Sequence, residues 1–486
     1  MVRLSRFKPY GFARPLPLSN LWSEDAFAGK NTMRIVFSVV FCVLALLSLL
    51  AWRMQPDANI SGKTTLTWVS DDNPARRTQM GLFNDLNPTL HLRLDPNNTG
   101  VEKVIVQSIG GVGPDLFDCY DAAQLSAYVK AGIAWDITDA LKAAGVDPEQ
   151  SLWKVVLPAI RFEGRYYGLS TNAGADAIWM NKDLFKQAGI PIPKGPLTWE
   201  QFITLAQKLT VRDERGRPKQ FGFLCDWGNW AVAVHQAGGR IFSEDGTRCV
   251  LDSNESIAGV QFFHDLIYKY KIMPSPIEEA TMATTGGWGT GTITQFGGGK
   301  GAMALGGRWW LCTLRSFANL HLDAMEAPFG KYQVYAGYGR ATLVNRNSPR
   351  RDEALKFLLY LASKPYNNLI NDQADALAPV VQFCKTDSYM HNPQFPEENY
   401  NAVWRDAIEH SVPREVSPFV NNQLAERIYN KQLDLVRSDQ KPVAEALRSA
   451  AKRINEEIEK TLARDPELKA QYDALAQTRG EKRSSQ

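Results

Sequence analysis

Residues Trp179–Leu209 read WMNKDLFKQAGIPIPKGPLTWEQFITLAQKL, and the division of this stretch into elements decides the fold class. Its first part, 181–188, has the pattern of a short helix, and Gly189 ends that helix before a rigid pair of prolines. Thr198 and Gln201 then form a capping box, in which each side chain accepts a hydrogen bond from the backbone N–H of the other residue. This box predicts that a second helix begins directly after Thr198.

Predicted strands alternate with predicted helices on the N-terminal side of this stretch. Residues 64–69, 90–94 and 114–117 have strand character, and helical patterns fill 74–85 and 100–109 between them. Strands that alternate with helices of this length predict parallel βαβ units. The sequence therefore predicts an α/β fold.

Length and composition limit the class of protein. A chain of 486 residues, 44% of them hydrophobic and 22% charged, is too long for one ordinary core and predicts two or three globular domains. The formal net charge of +3 is small for this length. We therefore expect no nucleic-acid partner.

The apolar segment 35–52 reads IVFSVVFCVLALLSLLAW and predicts the compartment. Such a run is long enough for a tilted membrane helix or for the core of a long signal peptide. Basic residues are concentrated on its N-terminal side, at Arg3, Arg6, Lys8, Arg14, Lys30 and Arg34. This asymmetry predicts that the N-terminus is cytoplasmic and that the chain after the segment lies across the membrane.

We favour an uncleaved transmembrane anchor over a cleaved signal segment, because no clean small-residue cleavage site follows the apolar run. Residues 1–34 are then a cytoplasmic or disordered extension, and 53–62 form a linker. Translation from Met1 or from Met33 fits the same pattern. The predicted localisation is periplasmic or extracytoplasmic, with anchoring to the inner membrane through residues 35–52.

Motifs of catalysis and metal binding are missing from the sequence. There is no GxSxG or HExxH motif and no pair of histidines at metal-ligand spacing, and the glycine-rich run 297–300 lacks the first glycine and the final Ser or Thr of a phosphate loop. No cysteine motif for a metal is present, and Cys225 and Cys249 are either a disulfide or two buried thiols. We therefore predict no catalytic residue, no metal and no cofactor.

Aromatic and acidic side chains occur at turn-rich strand ends, where open parallel sheets bind ligands. Asp71 follows the first predicted strand, and Asp118 and Tyr120 follow the strand at 114–117. Trp288 and Trp309 lie in glycine-rich runs. An indole ring packs on the apolar face of a pyranose, and short polar side chains bind its hydroxyl groups. This mixture favours a sugar ligand, although any one of these side chains also fits a turn or packing role.

Several segments together resemble family 1 extracellular solute-binding proteins of ABC importers, the group that includes maltodextrin- and oligosaccharide-binding proteins. The resemblance extends from about residue 63 to about 460. The segments that carry it are GPDLFD at 113–118, GRYYGL at 164–169, WMNKDLF at 179–185, AGIP at 188–191, TWEQF at 198–202, GKGAM at 299–303 and the helix at 353–363.

The resemblance implies a type II periplasmic-binding-protein fold, with two Rossmann-like lobes around a central cleft. On this basis lobe 1 comprises 63–172 with 338–385, and lobe 2 comprises 173–337 with 386–478. Residues 479–486 are expected to be a disordered tail.

The resemblance also implies which residues line the cleft. Its first crossing between lobes carries Asn172 and Asp176, and its second, near 337–340, contains Tyr338 and Arg340. Rings are expected before the helix that ends at Gly238. The complete predicted ligand-binding set is Asp71, Asp118, Tyr120, Asn172, Asp176, Trp227, Trp230, Trp288, Trp309, Tyr338 and Arg340.

The function that the resemblance implies is that of the substrate-binding subunit of an ABC importer. Such a subunit binds a small solute, with a sugar or oligosaccharide as the favoured class, and delivers it to the permease subunits in the membrane. A ligand-sensing receptor subunit with the same fold is an alternative, and a secreted carbohydrate-active enzyme is another. The sequence does not name the solute.

Overall fold

The computed structural model describes residues 25–53, 62–96, 100–282 and 291–484, and it divides the chain into two units, Met1–Gly62 and Lys63–Gln486. In the first unit, helix α1 covers Asp25–Arg53, so it begins earlier than the predicted start of the apolar segment. Ile35 and Phe37 on this helix are 63% and 73% exposed. No helix within the described ranges reaches the length and apolarity needed to cross a membrane, and the predicted transmembrane helix is not confirmed.

The described residues of the second unit contain the strands of two mixed sheets and of a separate, antiparallel two-stranded sheet formed by the fourth and fifth strands. They are β1 Thr64–Val69, β2 Leu90–Asp95, β3 Leu116–Cys119, β4 Arg161–Phe162, β5 Arg165–Tyr166, β6 Gly168–Ala175, β7 Ala177–Asn181, β8 Val211–Arg212, β9 Pro218–Leu224, β10 Gly301–Gly306, β11 Leu322–Glu326, β12 Tyr335–Val344 and β13 Ser411–Val412. Strand β1 has the bounds that its sequence pattern predicts, and β2 and β3 lie within a residue or two of theirs.

The first sheet has the order β13-β12-β3-β1-β2, and β6 also pairs with β12. Strand β1 is parallel to both β2 and β3, as βαβ units require, whereas β12 is antiparallel to β3 and β6. The second sheet has the order β11-β7-β10-β9-β8. In it, β9 and β10 are parallel and β7 is antiparallel to both of its neighbours.

Helices cover both sheets. They are α2 Pro74–Leu86, α3 Val101–Ile109, α4 Ala122–Lys130, α5 Thr138–Ala143, α6 Pro148–Ser151, α7 Lys182–Gln187, α8 Trp199–Leu209, α9 Trp230–Ala237, α10 Asn254–Tyr268, α11 Pro276–Thr281, α12 Thr292–Gly297, α13 Leu311–Leu314, α14 Arg351–Leu361, α15 Lys364–Gln373, α16 Asp387–Met390, α17 Asn401–Glu409, α18 Asn422–Arg437, α19 Val443–Arg464 and α20 Pro466–Ser484. Helix α20 continues into the segment 479–486 that the sequence predicts as disordered.

Local signals in the deciding stretch fold as predicted. Thr198 and Gln201 make both hydrogen bonds of the capping box, and α8 follows at once. Phe202, Ala206 and Leu209 are buried on one face of that helix. This face lies against the second sheet, where Phe202 meets Phe223 edge to face with ring centroids 4.9 Å apart.

The chain passes from the first sheet to the second at Asp176, which lies between β6 and β7. It returns between β11 and β12, over residues 327–334. The predicted lobe boundaries after residues 172 and 337 therefore fall inside β6 and β12, and the division into lobes stays a prediction. Both passages lie side by side because Gly337 of β12 pairs with Ala175 of β6.

Candidate functional site

A cavity of about 410 Å³ lies at the point where the chain passes between the two sheets. Asp176, Trp230 and Tyr338, three residues of the predicted ligand-binding set, line it together with residues around the end of β13 and on α18. Gly337 allows the close approach here, since a Cβ atom at this position would lie 2.4 Å from Val155. We call this the crossing cavity.

The Asp176 carboxyl group is the main titratable group of the crossing cavity. Burial raises its pKa to about 7, the neighbouring Tyr338 hydroxyl favours the ionised form, and Asp226 opposes it. Burial also holds the pKa of Tyr338 well above its usual value. Within the described residues the Tyr338 hydroxyl is buried without a hydrogen bond of standard length and angle, although it lies near Asp176.

A second cavity, of about 730 Å³, adjoins the first and shares Gly228 and Asn430 with it as lining residues. Trp227 lines it and is only 8% exposed, and its ring meets Phe263 edge to face at 5.6 Å. The polar part of its wall consists of Asp226, Glu279, Gln295, Asn430 and Arg437. We call this the tryptophan cavity.

A third cavity, of about 550 Å³, opens between α4 and α18. Tyr120 lines it from the loop after β3, and Glu426, Arg427 and Asn430 line it from α18. Asn430 therefore borders all three cavities. Helix α18 forms their common wall, a feature that the sequence analysis missed.

Arg414 connects the loop after β3 to α18 beside these cavities. Its guanidinium lies 3.4 Å from the Asp121 carboxylate, donates a hydrogen bond of 2.9 Å to the Tyr429 hydroxyl and contacts Glu426. Ion pairing and hydrogen bonding raise the pKa of Arg414 although burial opposes them. This arginine is thus neutralised by protein groups rather than free to pair with an anionic ligand.

Three other predicted residues come together inside the first sheet instead of in a cavity. Asp118 accepts hydrogen bonds from the Trp68 indole N–H at 2.9 Å and the Thr342 hydroxyl at 3.0 Å, and its carboxylate lies 3.5 Å from the Arg340 guanidinium. Arg340 also pairs with Asp71. Burial raises the pKa of Asp118 to about 7 in spite of the neighbouring Arg76. The side chains of Asp71, Asp118 and Arg340 thus form ion pairs with one another inside the sheet.

The remaining predicted residues that the structure describes line none of the three cavities, although Trp309 lies beside the Tyr338 hydroxyl. The Asn172 side chain accepts a hydrogen bond of 3.2 Å from the Arg340 backbone N–H. Trp309 is half-buried against Trp310, with ring centroids 6.3 Å apart, and lines none of the three cavities. Trp288 lies outside the described residues.

A sequence model of the bacterial extracellular solute-binding proteins matches residues 70–368 of the chain. The chain belongs to this family. The match includes both passages between the sheets, the first of which contains Asp176, and the strands that carry Asp118 and Tyr338. Family membership implies that this solute-binding protein acts outside the cytoplasm.

Two curated relatives are arabinooligosaccharide-binding proteins. The one from Halalkalibacterium halodurans is 31% identical over 110 residues, which cover 23% of this chain and 24% of the relative. The one from Bacillus subtilis is 23% identical over 252 residues, or 50% of this chain and 56% of the relative. The matched region thus spans between a quarter and a little over half of these relatives.

Solved structures show the same fold over nearly their whole length. An ABC substrate-binding protein from Listeria monocytogenes in complex with cycloalternan has a TM-score of 0.68 and 22% identity, and covers 81% of this chain and 98% of its own. UgpB from Mycobacterium tuberculosis, in complex with glycerophosphocholine, has a TM-score of 0.67 and 18% identity, with coverage of 83% and 99%. This likeness shows a periplasmic-binding-protein type of fold.

The described residues of this solute-binding protein hold no group of three His, Cys, Asp or Glu side chains that could bind a metal ion. Cys225 and Cys249 are free, buried thiols rather than a disulfide. Burial raises the pKa of Cys249 to about 12 and holds that of Cys225 well above its usual value, so both thiols stay protonated.

Proposed function

We propose that the protein is the substrate-binding subunit of an ABC importer and that it binds a sugar or oligosaccharide along the three cavities beside α18. The observation that carries this proposal is the crossing cavity, where Trp230, Tyr338 and Asp176 meet at the passage between the two sheets. Aromatic rings with a few polar groups in a concave site suit a ligand that has apolar faces and a hydroxylated rim.

The size of the joined cavities favours more than one sugar ring. Small-molecule sites commonly measure roughly 300–1,000 Å³. The crossing cavity of about 410 Å³ and the tryptophan cavity of about 730 Å³ adjoin each other, and the third cavity continues past Asn430. An oligosaccharide that spans two of them would contact Trp227 and Trp230 with different rings.

Binding to a panel of sugars tests the proposed ligand class. We expect arabino- or malto-oligosaccharides, or their amino-substituted counterparts, to raise the melting temperature of the soluble portion from about residue 61, because a ligand that binds only the native state stabilises it. Isothermal titration calorimetry then gives the Kd. Absence of any shift across neutral and amino sugars, with a shift for a glycerophosphodiester instead, would contradict the sugar assignment.

We propose that the protein binds its solute without chemical change. Chromatography of the recovered ligand after prolonged incubation should return it intact. Appearance of shorter oligosaccharides at a catalytic rate would establish the enzyme alternative instead.

We also propose that the bound form delivers the solute to a membrane permease and that segment 35–52 directs the chain out of the cytoplasm, either as a retained anchor or as a removed signal. Deletion of the gene should abolish uptake of the radiolabelled solute. Uptake that persists while a downstream transcriptional response is lost would favour a sensor role. N-terminal sequencing of the mature protein distinguishes retention from removal.

A further inference from the structure

Three carboxylates border the two adjoining cavities around Trp227. Asp226 and Glu279 line the tryptophan cavity, and Asp176 lines the crossing cavity. They are close enough to repel one another, since the charge of Asp226 raises the pKa of both Asp176 and Glu279. The charges of these three carboxylates all raise the pKa of the buried Cys225 thiol, so the thiol lies close to each of them.

Among the described residues, a single arginine pairs with this group of acids. Arg437 pairs with Glu279, and Arg414 is already engaged by Asp121, Glu426 and Tyr429.

Asp226 accepts a hydrogen bond of 2.5 Å from the Thr292 hydroxyl, and no lysine or arginine in the described ranges pairs with it. The segment 283–290 that precedes Thr292 contains no lysine or arginine either. The pKa of Asp176 is likewise affected by Tyr338 and Asp226, and by no lysine or arginine of the described residues. Two carboxylates at these cavities thus lack a positive partner.

The aromatic groups of the same cavities leave a hydrogen-bond donor unused. Trp227 is only 8% exposed and lines the tryptophan cavity, and its indole N–H has no partner among the described residues. Trp230, 3% exposed, lines the crossing cavity. A buried donor without a partner destabilises the protein, and a ligand oxygen in hydrogen-bond reach would remove that cost.

We propose that the solute is an amino sugar, whose protonated amino group lies between Asp176 and Asp226 and whose hydroxyl oxygen accepts the Trp227 N–H. Burial makes the Asp176 carboxyl group costly to ionise, and an ammonium ion beside it relieves this cost, while the exposed Asp226 carboxylate attracts the same cation. Indole rings at the same site add attraction for a cation as well as an apolar surface for the sugar ring. This inference rests on the proposed function and narrows its ligand class.

A set of matched trimers tests the amino group directly. The β-1,4-linked trimers of glucosamine, N-acetylglucosamine and glucose share one linkage and differ in the substituent at carbon 2. Calorimetry at a pH below the pKa of the amine should show at least tenfold tighter binding of the glucosamine trimer than of the other two. Glucosamine should likewise bind more tightly than glucose, and galactosamine more tightly than galactose.

The outcomes separate the two proposals. A neutral oligosaccharide, whether cello-, malto- or arabino-type, that binds as tightly as the amino sugars overturns the amine inference and leaves the sugar-binding function standing. Failure of every neutral and amino sugar to bind overturns both.

Asp226→Asn provides the second arm of the test. The variant should lose at least tenfold more affinity for the glucosamine trimer than for the glucose trimer. Glu255→Gln, at an exposed site on α10 that lines none of the three cavities, removes the same charge and should leave the preference for the amine unchanged. If Asp226→Asn keeps the wild-type preference for the glucosamine trimer, and its melting temperature equals that of wild type, the placement of the amino group beside Asp226 is overturned.

Discussion

At the residue scale, the protonation of Asp176 should make stability depend on pH. The folded state raises the pKa of this carboxyl to about 7, mainly through burial, so it holds a proton over a range in which the unfolded chain has already released it. The resulting contribution lowers stability as pH rises from about 4 to 7.

Asp176→Asn removes that dependence. The ligand-free variant should have a larger free energy of unfolding than wild type above pH 7, by up to about 4 kcal/mol, and nearly the same value below pH 4. Urea denaturation at a series of pH values measures this difference. Asp85→Asn, at an exposed site on α2, controls for the lost charge. A variant less stable than wild type at high pH would contradict the account.

A substitution of Arg340 tests whether this residue stabilises the fold, whereas the sequence analysis predicts that it binds the ligand. Its guanidinium is buried and pairs with Asp71 and Asp118. Arg340→Met should lower the free energy of unfolding by about 3–5 kcal/mol, because it leaves buried carboxylates unpaired. Ligand affinity of the fraction that remains folded should change little. A large loss of affinity at unchanged stability would instead show that Arg340 contacts the ligand.

At the element scale, the capping box of α8 offers a clean test of local stability. Thr198→Ala removes the side chain that accepts the Gln201 N–H and should cost about 0.5–2 kcal/mol in the free energy of unfolding. Thr204→Ala, at an exposed site on the same helix, removes a hydroxyl that bonds only to the Glu200 carbonyl and should cost less. Equal losses in chemical denaturation would argue against the cap.

Helix α18 is the element on which the site depends most. Asn430 is exposed and borders all three cavities, whereas the next residue, Lys431, is exposed and lines none of them. Asn430→Ala should weaken ligand binding about tenfold through loss of a hydrogen bond, and Lys431→Ala should leave it unchanged. Calorimetry of both variants checks this, and equal affinities would remove α18 from the site.

Local sequence patterns predicted the strands and helices, but not which of them pack against one another. Strand β1 and helix α8 follow from alternation and from the capping box, which act within a few residues. Asp118 was predicted to face the ligand because it follows a strand, yet the antiparallel pairing of β12 with β3 brings Arg340 and Thr342 against it. That register depends on contacts more than 200 residues apart in sequence.

The wall formed by α18 was missed for the same reason. The residues of α18 that line the cavities recur at the spacing of one helical face, and this spacing is the sequence signal that could have identified the wall. Any amphipathic surface helix shows such a face, however, and only the folded chain brings this one beside the passage between the sheets. These residues are Gln423, Glu426, Arg427, Tyr429, Asn430 and Arg437.

At the scale of the whole molecule, we propose that the two sheets belong to two lobes that move about the adjacent passages, with the ligand between them. Such an arrangement couples binding to closure, since a ligand that contacts both sides favours the closed state. The order of cavities along α18 then sets which part of the solute each sheet contacts. On this proposal, the complete site needs residues from both sheets and from α18.

A crystal structure with the tightest-binding oligosaccharide tests this claim most directly. The account predicts sugar density in the crossing and tryptophan cavities, in contact with Asp176, Trp230 and Asn430. Density at a site away from the passage between the sheets, with these three side chains free of ligand, would contradict it.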